Sequence, residues 1–127
     1  MRQSWVRVVG GSLVLGAIVL EGSMPAGAHA RLVRSRPAAR GVVTTAPDQV
    51  QLWFNEALEP AFARLSVWSG DGTEVDLGNA MVAPDDPKLL SVGLHPLTPG
   101  SYTVKYRVLS VDGHVVEREF PFTFRAP

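Results

Sequence analysis

The chain contains no cysteine, and its 127 residues include only three histidines and three methionines. Without cysteine, thiolate metal sites and redox disulfides are excluded, and an exported form would be held together by its core alone. Basic and acidic side chains balance at 12 each, so the charge gives no indication of binding to nucleic acid or to an anionic membrane surface. A glycine-rich phosphate loop and the H-E-x-x-H metal motif are also missing, which excludes those two kinds of site.

The first 28 residues have the order of a secretory signal peptide. Arg2 and Arg7 form a basic segment, Val8–Leu20 is apolar, and Ala26-Gly27-Ala28 is an A-x-A cleavage site. The alternative, an uncleaved anchor, is disfavoured because the apolar run is too short to span a bilayer and is followed by a glutamate. We therefore predict cleavage after Ala28 and a periplasmic or extracellular location. The processed domain, residues 29–127, is expected to be monomeric and not membrane-embedded.

The rest of the chain predicts an all-β domain without helices. Val50, Leu52 and Phe54 alternate with polar residues in Gln49–Glu56, which is the pattern of a half-buried strand. About seven such strands are predicted, before Pro37 and at 49–56, 64–69, 73–77, 88–94, 101–109 and 115–125, whereas 79–87 is expected to be irregular. Short strands separated by turn residues favour a small antiparallel β-sandwich or barrel of the immunoglobulin-like kind.

A five-residue turn, Ser110-Val-Asp-Gly-His114, is predicted between the last two strands. Asp112 and His114 are two residues apart, so an extended backbone would send both side chains to the same side. A carboxylate beside an imidazole is half of a copper(II) or zinc site. The alternatives are a surface histidine and an ordinary turn-forming aspartate. A hydrolase triad with Ser110 is disfavoured, since residues packed into one turn rarely reach the required geometry.

Two ligands are too few for a copper(II) or zinc site, and the remaining ligands are predicted at His29. Cleavage after Ala28 would give this residue a free α-amino group, with an ordinary pKa of about 7.7–8.0, next to its imidazole. The two groups together chelate one metal ion, which displaces the amine proton near neutral pH. The alternative is that the cleavage site falls here by accident. His95, at the end of a predicted strand before Pro96, is interpreted as structural.

Taken together, these features resemble the CopC family of periplasmic copper-resistance proteins. The terminal histidine paired with S-x-D-G-H is the specific part of the resemblance. The supporting segments, which extend over the processed chain, are His29–Leu32, Ser35–Ala38, Val50–Glu56 with Glu59-Pro60, Leu97–Val104, Tyr106–His114 and Phe120–Phe124.

The resemblance implies a Greek-key β-barrel that binds copper(II) through the amine and imidazole of His29, the carboxylate of Asp112 and the imidazole of His114. It also implies a weaker role for Glu56, as a partner of a ligand and not as a ligand itself. The family usually has tryptophan at the position of Tyr106, so the last hairpin is expected to differ locally. Some members of the family also have a copper(I) site, which Met81 alone cannot supply. The resemblance therefore implies only copper(II) binding for this chain.

The expected function is to sequester, buffer or deliver copper(II), without catalysis. An inner-membrane copper importer of the CopD type is the partner that the resemblance implies. One alternative is an oxidative copper enzyme with a histidine brace, which is disfavoured because Asp112 would occupy the coordination position that oxygen needs. The other is a metal-free immunoglobulin-like interaction module, which a copper titration would distinguish.

Overall fold

The computed structural model describes Ser4, Gly10, Gly11 and residues 30–127. The predicted signal peptide therefore lies almost entirely outside the described residues, and so does His29. Within the part of the chain that is described, no helix is long and apolar enough to cross a membrane.

The domain is an all-β sandwich of two four-stranded sheets, as predicted. The first sheet has the order β1-β3-β6-β5 and the second has the order β2-β8-β7-β4. Neighbouring strands are antiparallel except for the short parallel pair β2–β8. The chain crosses repeatedly from one sheet to the other, which gives an immunoglobulin-like Greek-key arrangement. The strands are β1 Leu32–Arg36, β2 Val42–Val43, β3 Gln49–Phe54, β4 Arg64–Ser69, β5 Met81–Ala83, β6 Asp86–Gly93, β7 Gly100–Leu109 and β8 Val115–Phe124.

The core lies between the two sheets and consists of the alternating apolar residues that the sequence indicates. Val50, Leu52 and Phe54 of β3 are at most 2% exposed, while the intervening Gln51 and Trp53 are half-buried. From the other sheet, Tyr106 meets Phe54 edge to face, with ring centroids 5.4 Å apart. The period of two along each strand therefore brings one face of each sheet into the core. The second sheet contributes Leu65, Val67, Tyr102, Val104, Tyr106, Val108, Phe120, Phe122 and Phe124.

The segment predicted to be irregular, 79–87, instead contains β5 and the start of β6. Ala83 and Asp86 pair across a tight connection. Two prolines in this stretch suggested a loop, because proline cannot donate to a strand ladder. Pro87 is tolerated here because it has no partner in the pairing of β6 with β3 or β5, and lies beside the irregularity in the β5–β6 pairing, so no ladder hydrogen bond from its missing N–H is lost.

The predicted strand at 73–77 is reduced to isolated bridges, at Glu74 and Asp76. The carboxylate of Asp76 is buried and accepts hydrogen bonds from the backbone N–H groups of Val67 (2.9 Å) and Gly78 (3.1 Å). A side chain that bonds to the backbone in this way replaces part of the strand ladder. The expectation of no helix needs one small correction, since Pro60–Phe62 forms a single 3₁₀ turn.

Truncation of Leu52, which is fully buried, should destabilise the domain. We expect Leu52→Ala to lower the free energy of unfolding by about 2–5 kcal/mol, because the substitution leaves a cavity between the sheets. Val33→Ala is the matched control, since Val33 is 58% exposed and its truncation should change stability by less than about 0.5 kcal/mol. Urea unfolding followed by tryptophan fluorescence measures both; equal losses would contradict this description of the core.

Candidate metal centre

The turn between β7 and β8 is closed by backbone hydrogen bonds. Ser110 N donates to His114 O at 3.0 Å, and Gly113 N donates to Ser110 O at 2.9 Å. Gly113 has a φ of 96°, a conformation that residues with a side chain rarely adopt. The Asp-Gly pair therefore makes the chain reverse here, as predicted from the sequence.

Asp112 and His114 lie side by side on this turn. His114 Nδ1 is 3.2 Å from Asp112 Oδ1. The side chain of Asp112 is 39% exposed and that of His114 is 31% exposed, so both can be reached from solvent. The predicted pairing of a carboxylate with an imidazole is present in the described chain.

Hydrogen bonding lowers the pKa of the Asp112 carboxyl below its ordinary value. The largest cause is the hydroxyl of Ser110, which donates to Asp112 Oδ1. Contact with His114 lowers the pKa further, and desolvation opposes both effects. Asp112 is therefore a carboxylate throughout the neutral pH range, which is the form that binds a cation.

The segment Asn55–Leu58, which follows β3, supports the turn from one side. Val111 N donates to Ala57 O at 3.1 Å, and Leu58 forms a bridge with Ser110. Glu56, the predicted partner of a ligand, is half-buried in this segment. The predicted strand was two residues too long here, since β3 ends at Phe54 and Glu56 lies in a bend.

The same segment also contacts the beginning of the described domain. Arg31 N donates to Asn55 Oδ1 at 2.6 Å, and Asn55 N donates to Arg31 O at 3.0 Å. Ala30, the residue before Arg31, is only 2% exposed. Because Asn55 and Ala57 are two residues apart, the start of the domain and the turn of residues 110–114, the metal turn, border one short segment.

Of the predicted ligands, the described chain brings together Asp112 and His114, while His29 lies outside it. Within residues 30–127, no group of three or more histidine, cysteine, aspartate or glutamate side chains could hold a metal ion. The fit to a copper site is thus half complete, with one imidazole and one carboxylate in place. His95 is exposed and follows the end of β6. The start of β6 is the end near the turn, since Pro87 bonds to Leu58, which forms a bridge with Ser110. His95 is therefore remote from the turn.

Sequence reasoning missed the part that Ser110 plays. This serine is 0% exposed, and its hydroxyl bonds to Asp112 and lies 3.4 Å from both N and O of His114. The signal was available, because serine and aspartate side chains in turns commonly bond to nearby backbone groups.

Comparison with known proteins gives consistent matches. The sequence model of the CopC domain matches residues 32–125. The crystal structure of CopC from Methylosinus trichosporium OB3b is similar with a TM-score of 0.72 and 38% sequence identity, over 77% of this chain and 95% of that chain. PcoC from Escherichia coli, described as a methionine-rich copper resistance protein, has a TM-score of 0.64 and 32% identity, over 76% of this chain and 99% of that chain.

One curated relative is much longer than this chain. The copper transport protein CutJ of Bacillus subtilis is 32% identical over 97 residues, a match that covers 76% of this chain but only 18% of CutJ. The chain therefore spans less than a fifth of that relative. A match over residues 32–125, with solved relatives that share the same sandwich, shows that the chain belongs to the CopC family.

Proposed function

We propose that the protein, once cleaved after Ala28, binds one copper(II) ion outside the cytoplasm and sequesters, buffers or delivers it. The observation that carries the proposal is the contact between Asp112 and His114 on an accessible turn, with 3.2 Å between Nδ1 and Oδ1. CopC proteins are copper-resistance proteins, and the CopC and PcoC structures are solved members of that kind. The proposal includes no catalytic role.

His29 is the proposed source of the remaining ligands. A single peptide bond joins it to Ala30, which is buried. Arg31 pairs with Asn55, and Val111 pairs with Ala57, so both the domain start and the metal turn are anchored on the same segment. This arrangement supports a site that spans the first residue of the processed chain and the 110–114 turn.

The donor set favours copper(II). Two imidazoles, one amine and one carboxylate supply nitrogen and oxygen ligands in a number that suits tetragonal copper(II), and copper(II) leads the divalent affinity order for such sites. Bound copper(II) is cargo here, and the residues would hold it by charge and coordination. Glu56, half-buried beside Ala57, is proposed to contact a ligand and not the metal.

Copper(I), the reduced form of the ion, would have few suitable ligands in this chain. PcoC is described as methionine-rich, whereas this chain has three methionines, two of which, Met1 and Met24, belong to the segment removed by cleavage. The third, Met81, lies on β5, and a single thioether is a poor copper(I) site. We therefore propose that only copper(II) is held.

A membrane copper importer of the CopD type is the proposed recipient. The support comes from CutJ, a copper transport protein in which the region similar to this chain accounts for only a small part of the length. We propose that the CopC domain passes copper(II) to such a transport component.

Removal of ligands should follow a definite order. On the processed protein, one extra residue before His29 and the substitution His114→Ala should each weaken copper(II) binding by more than about a hundredfold, because each removes a nitrogen ligand directly and not merely a supporting contact. Asp112→Asn should cost less, since an oxygen remains. Competition against a copper(II) chelator measures the affinities, with His95→Ala as the control that leaves them unchanged. Equal binding by the native and extended N-termini would refute the scheme.

Acidification should release the metal. The amine and both imidazoles must lose protons before they bind copper(II), so affinity falls as the pH drops below neutrality. The Asp112 carboxyl has a lowered pKa, so it stays ionised over this range and the loss of affinity comes from the nitrogen ligands. A copper(II) titration at several pH values measures the dependence; an affinity unchanged between pH 7 and pH 5 would contradict a site made of histidine and amine nitrogens.

Reduction should also release the metal. Copper(I) prefers sulfur ligands, and its lower charge reduces its attraction to the Asp112 carboxylate. Ascorbate added with a copper(I) chelator should transfer the metal from loaded protein to the chelator, as followed by the absorbance of the chelate. Tight retention of copper(I), or reductant-driven oxidation of a polysaccharide, would instead favour a histidine-brace enzyme.

A further inference from the structure

A second segment of the chain forms the same kind of turn as residues 110–114. This segment, Ser69-Gly-Asp71-Gly-Thr73, begins with the last residue of β4 and has the same serine, aspartate and glycine spacing as Ser110-Val-Asp112-Gly-His114. Only the fifth position differs in a way that matters for metal binding, since threonine replaces histidine. We name residues 69–73 the distal turn and residues 110–114 the metal turn.

The two turns share their backbone hydrogen bonds. In the distal turn, Ser69 N donates to Thr73 O at 2.8 Å and Gly72 N donates to Ser69 O at 3.0 Å. The corresponding distances in the metal turn are 3.0 Å and 2.9 Å. The glycines at the fourth position have φ angles of 85° and 96°. The turn conformation therefore does not depend on a metal-binding residue.

The two turns also share the bond that orients their aspartate. In each turn the serine hydroxyl donates to Oδ1 of the aspartate two residues later. The same hydroxyl lies 3.2 Å from Thr73 O in the distal turn and 3.4 Å from His114 O in the metal turn. A hydroxyl has a single hydrogen, and an ionised carboxylate is its stronger acceptor.

The turns differ in burial and in what surrounds them. Ser110 is 0% exposed, whereas Ser69 is half-buried. Ser69 pairs with Tyr102 near the start of β7, while Ser110 follows the end of that strand. Ser110 lies eight positions after Tyr102 along the extended strand, so the turns lie roughly 27 Å apart at opposite ends of the sheet.

We propose that Ser110 is a positioning residue for copper(II), and that the Ser-x-Asp-Gly turn is a scaffold that becomes half of a metal site only where histidine stands at its fifth position. The inference rests on the proposed copper-binding function. Held by a buried hydroxyl, the carboxylate of Asp112 meets the metal already in place beside His114 and does not have to be ordered at the moment of binding.

The serine bond also has an opposing effect. A donated hydrogen bond withdraws electron density from the carboxylate and makes it a weaker base, which by itself would weaken metal binding. Partners of this kind nevertheless support affinity, and their removal typically costs about 10-fold to 100-fold. We therefore expect positioning to outweigh the loss of basicity.

The distal turn supplies a matched control for the test. Ser110→Ala and Ser69→Ala remove the same bond from the same turn, but only the first alters the metal site. In processed protein whose intact mass shows a start at His29, Ser110→Ala should weaken copper(II) binding about 10-fold to 100-fold and change the electron paramagnetic resonance spectrum of the bound ion. Ser69→Ala should change neither. Equal effects of the two substitutions, or no effect of either, would overturn the proposal.

A measurement without metal separates positioning from general destabilisation. Three-bond NMR couplings should report one χ1 rotamer for Asp112 in the unsubstituted protein and averaged rotamers in Ser110→Ala. A single rotamer in both would overturn the proposal. Failure of the unsubstituted protein to bind copper(II) would instead refute the proposed function, which this rotamer measurement does not involve.

If Ser110→Ala does not fold, the proposal can be tested by substitutions in the distal turn. Thr73→His places an imidazole where His114 stands in the metal turn, and should add a second, weaker copper(II) site detectable as a second binding step. Combining Thr73→His with Ser69→Ala should weaken that added site. No second step with Thr73→His, or a step indifferent to Ser69, would overturn the scaffold proposal.

Discussion

The ten cross-strand pairs between β7 and β8, from Gly100–Phe124 to Leu109–Val115, fix both the core and the metal turn. The pairing is continuous, and along it the buried residues of the two strands fall on one face. A slip by one residue would turn the buried aromatic residues of β8 towards solvent, so the register is strongly specified by burial. With this register, Ser110 is the first residue beyond the ladder and His114 the last before it resumes. The positions of Asp112 and His114 therefore depend on hydrophobic packing along the whole hairpin.

Strands with clear alternation could be predicted from the sequence because each buries a full face. The alternate residues Tyr102, Val104, Tyr106 and Val108 of β7 and the series Phe120, Phe122, Phe124 of β8 are examples, and all of them are buried. By contrast, β2 has two residues and β5 has three, too few for a period of two to be distinguished from a loop. Asp76 could not be foreseen either, since a buried carboxylate that replaces ladder hydrogen bonds looks in sequence like a surface residue.

The candidate site was predictable to a similar extent. The spacing of Asp112 and His114 predicted their pairing from an extended backbone, in which residues two apart point to one side. The structure shows the pairing on a tight turn instead, with Gly113 at a φ of 96°. The same spacing at Asp71 gives the same turn without a metal partner, so the motif alone indicates a conformation and not a function. What distinguishes the metal turn is the histidine at its end and its contact with Asn55–Leu58, a long-range arrangement that no local pattern contains. The contribution of His29 depends on a cleavage that lies outside the described residues.

In the proposed complex, one copper(II) ion joins the first residue of the processed chain to the metal turn. Pulsed electron paramagnetic resonance of the copper(II)-loaded protein, with ¹⁵N-labelled histidine, counts the coordinated imidazoles directly. With the chain cleaved after Ala28, we expect two imidazoles, from His29 and His114, on a single copper ion. A spectrum with one imidazole or none, or an identical spectrum from protein that retains residues before His29, would contradict this arrangement.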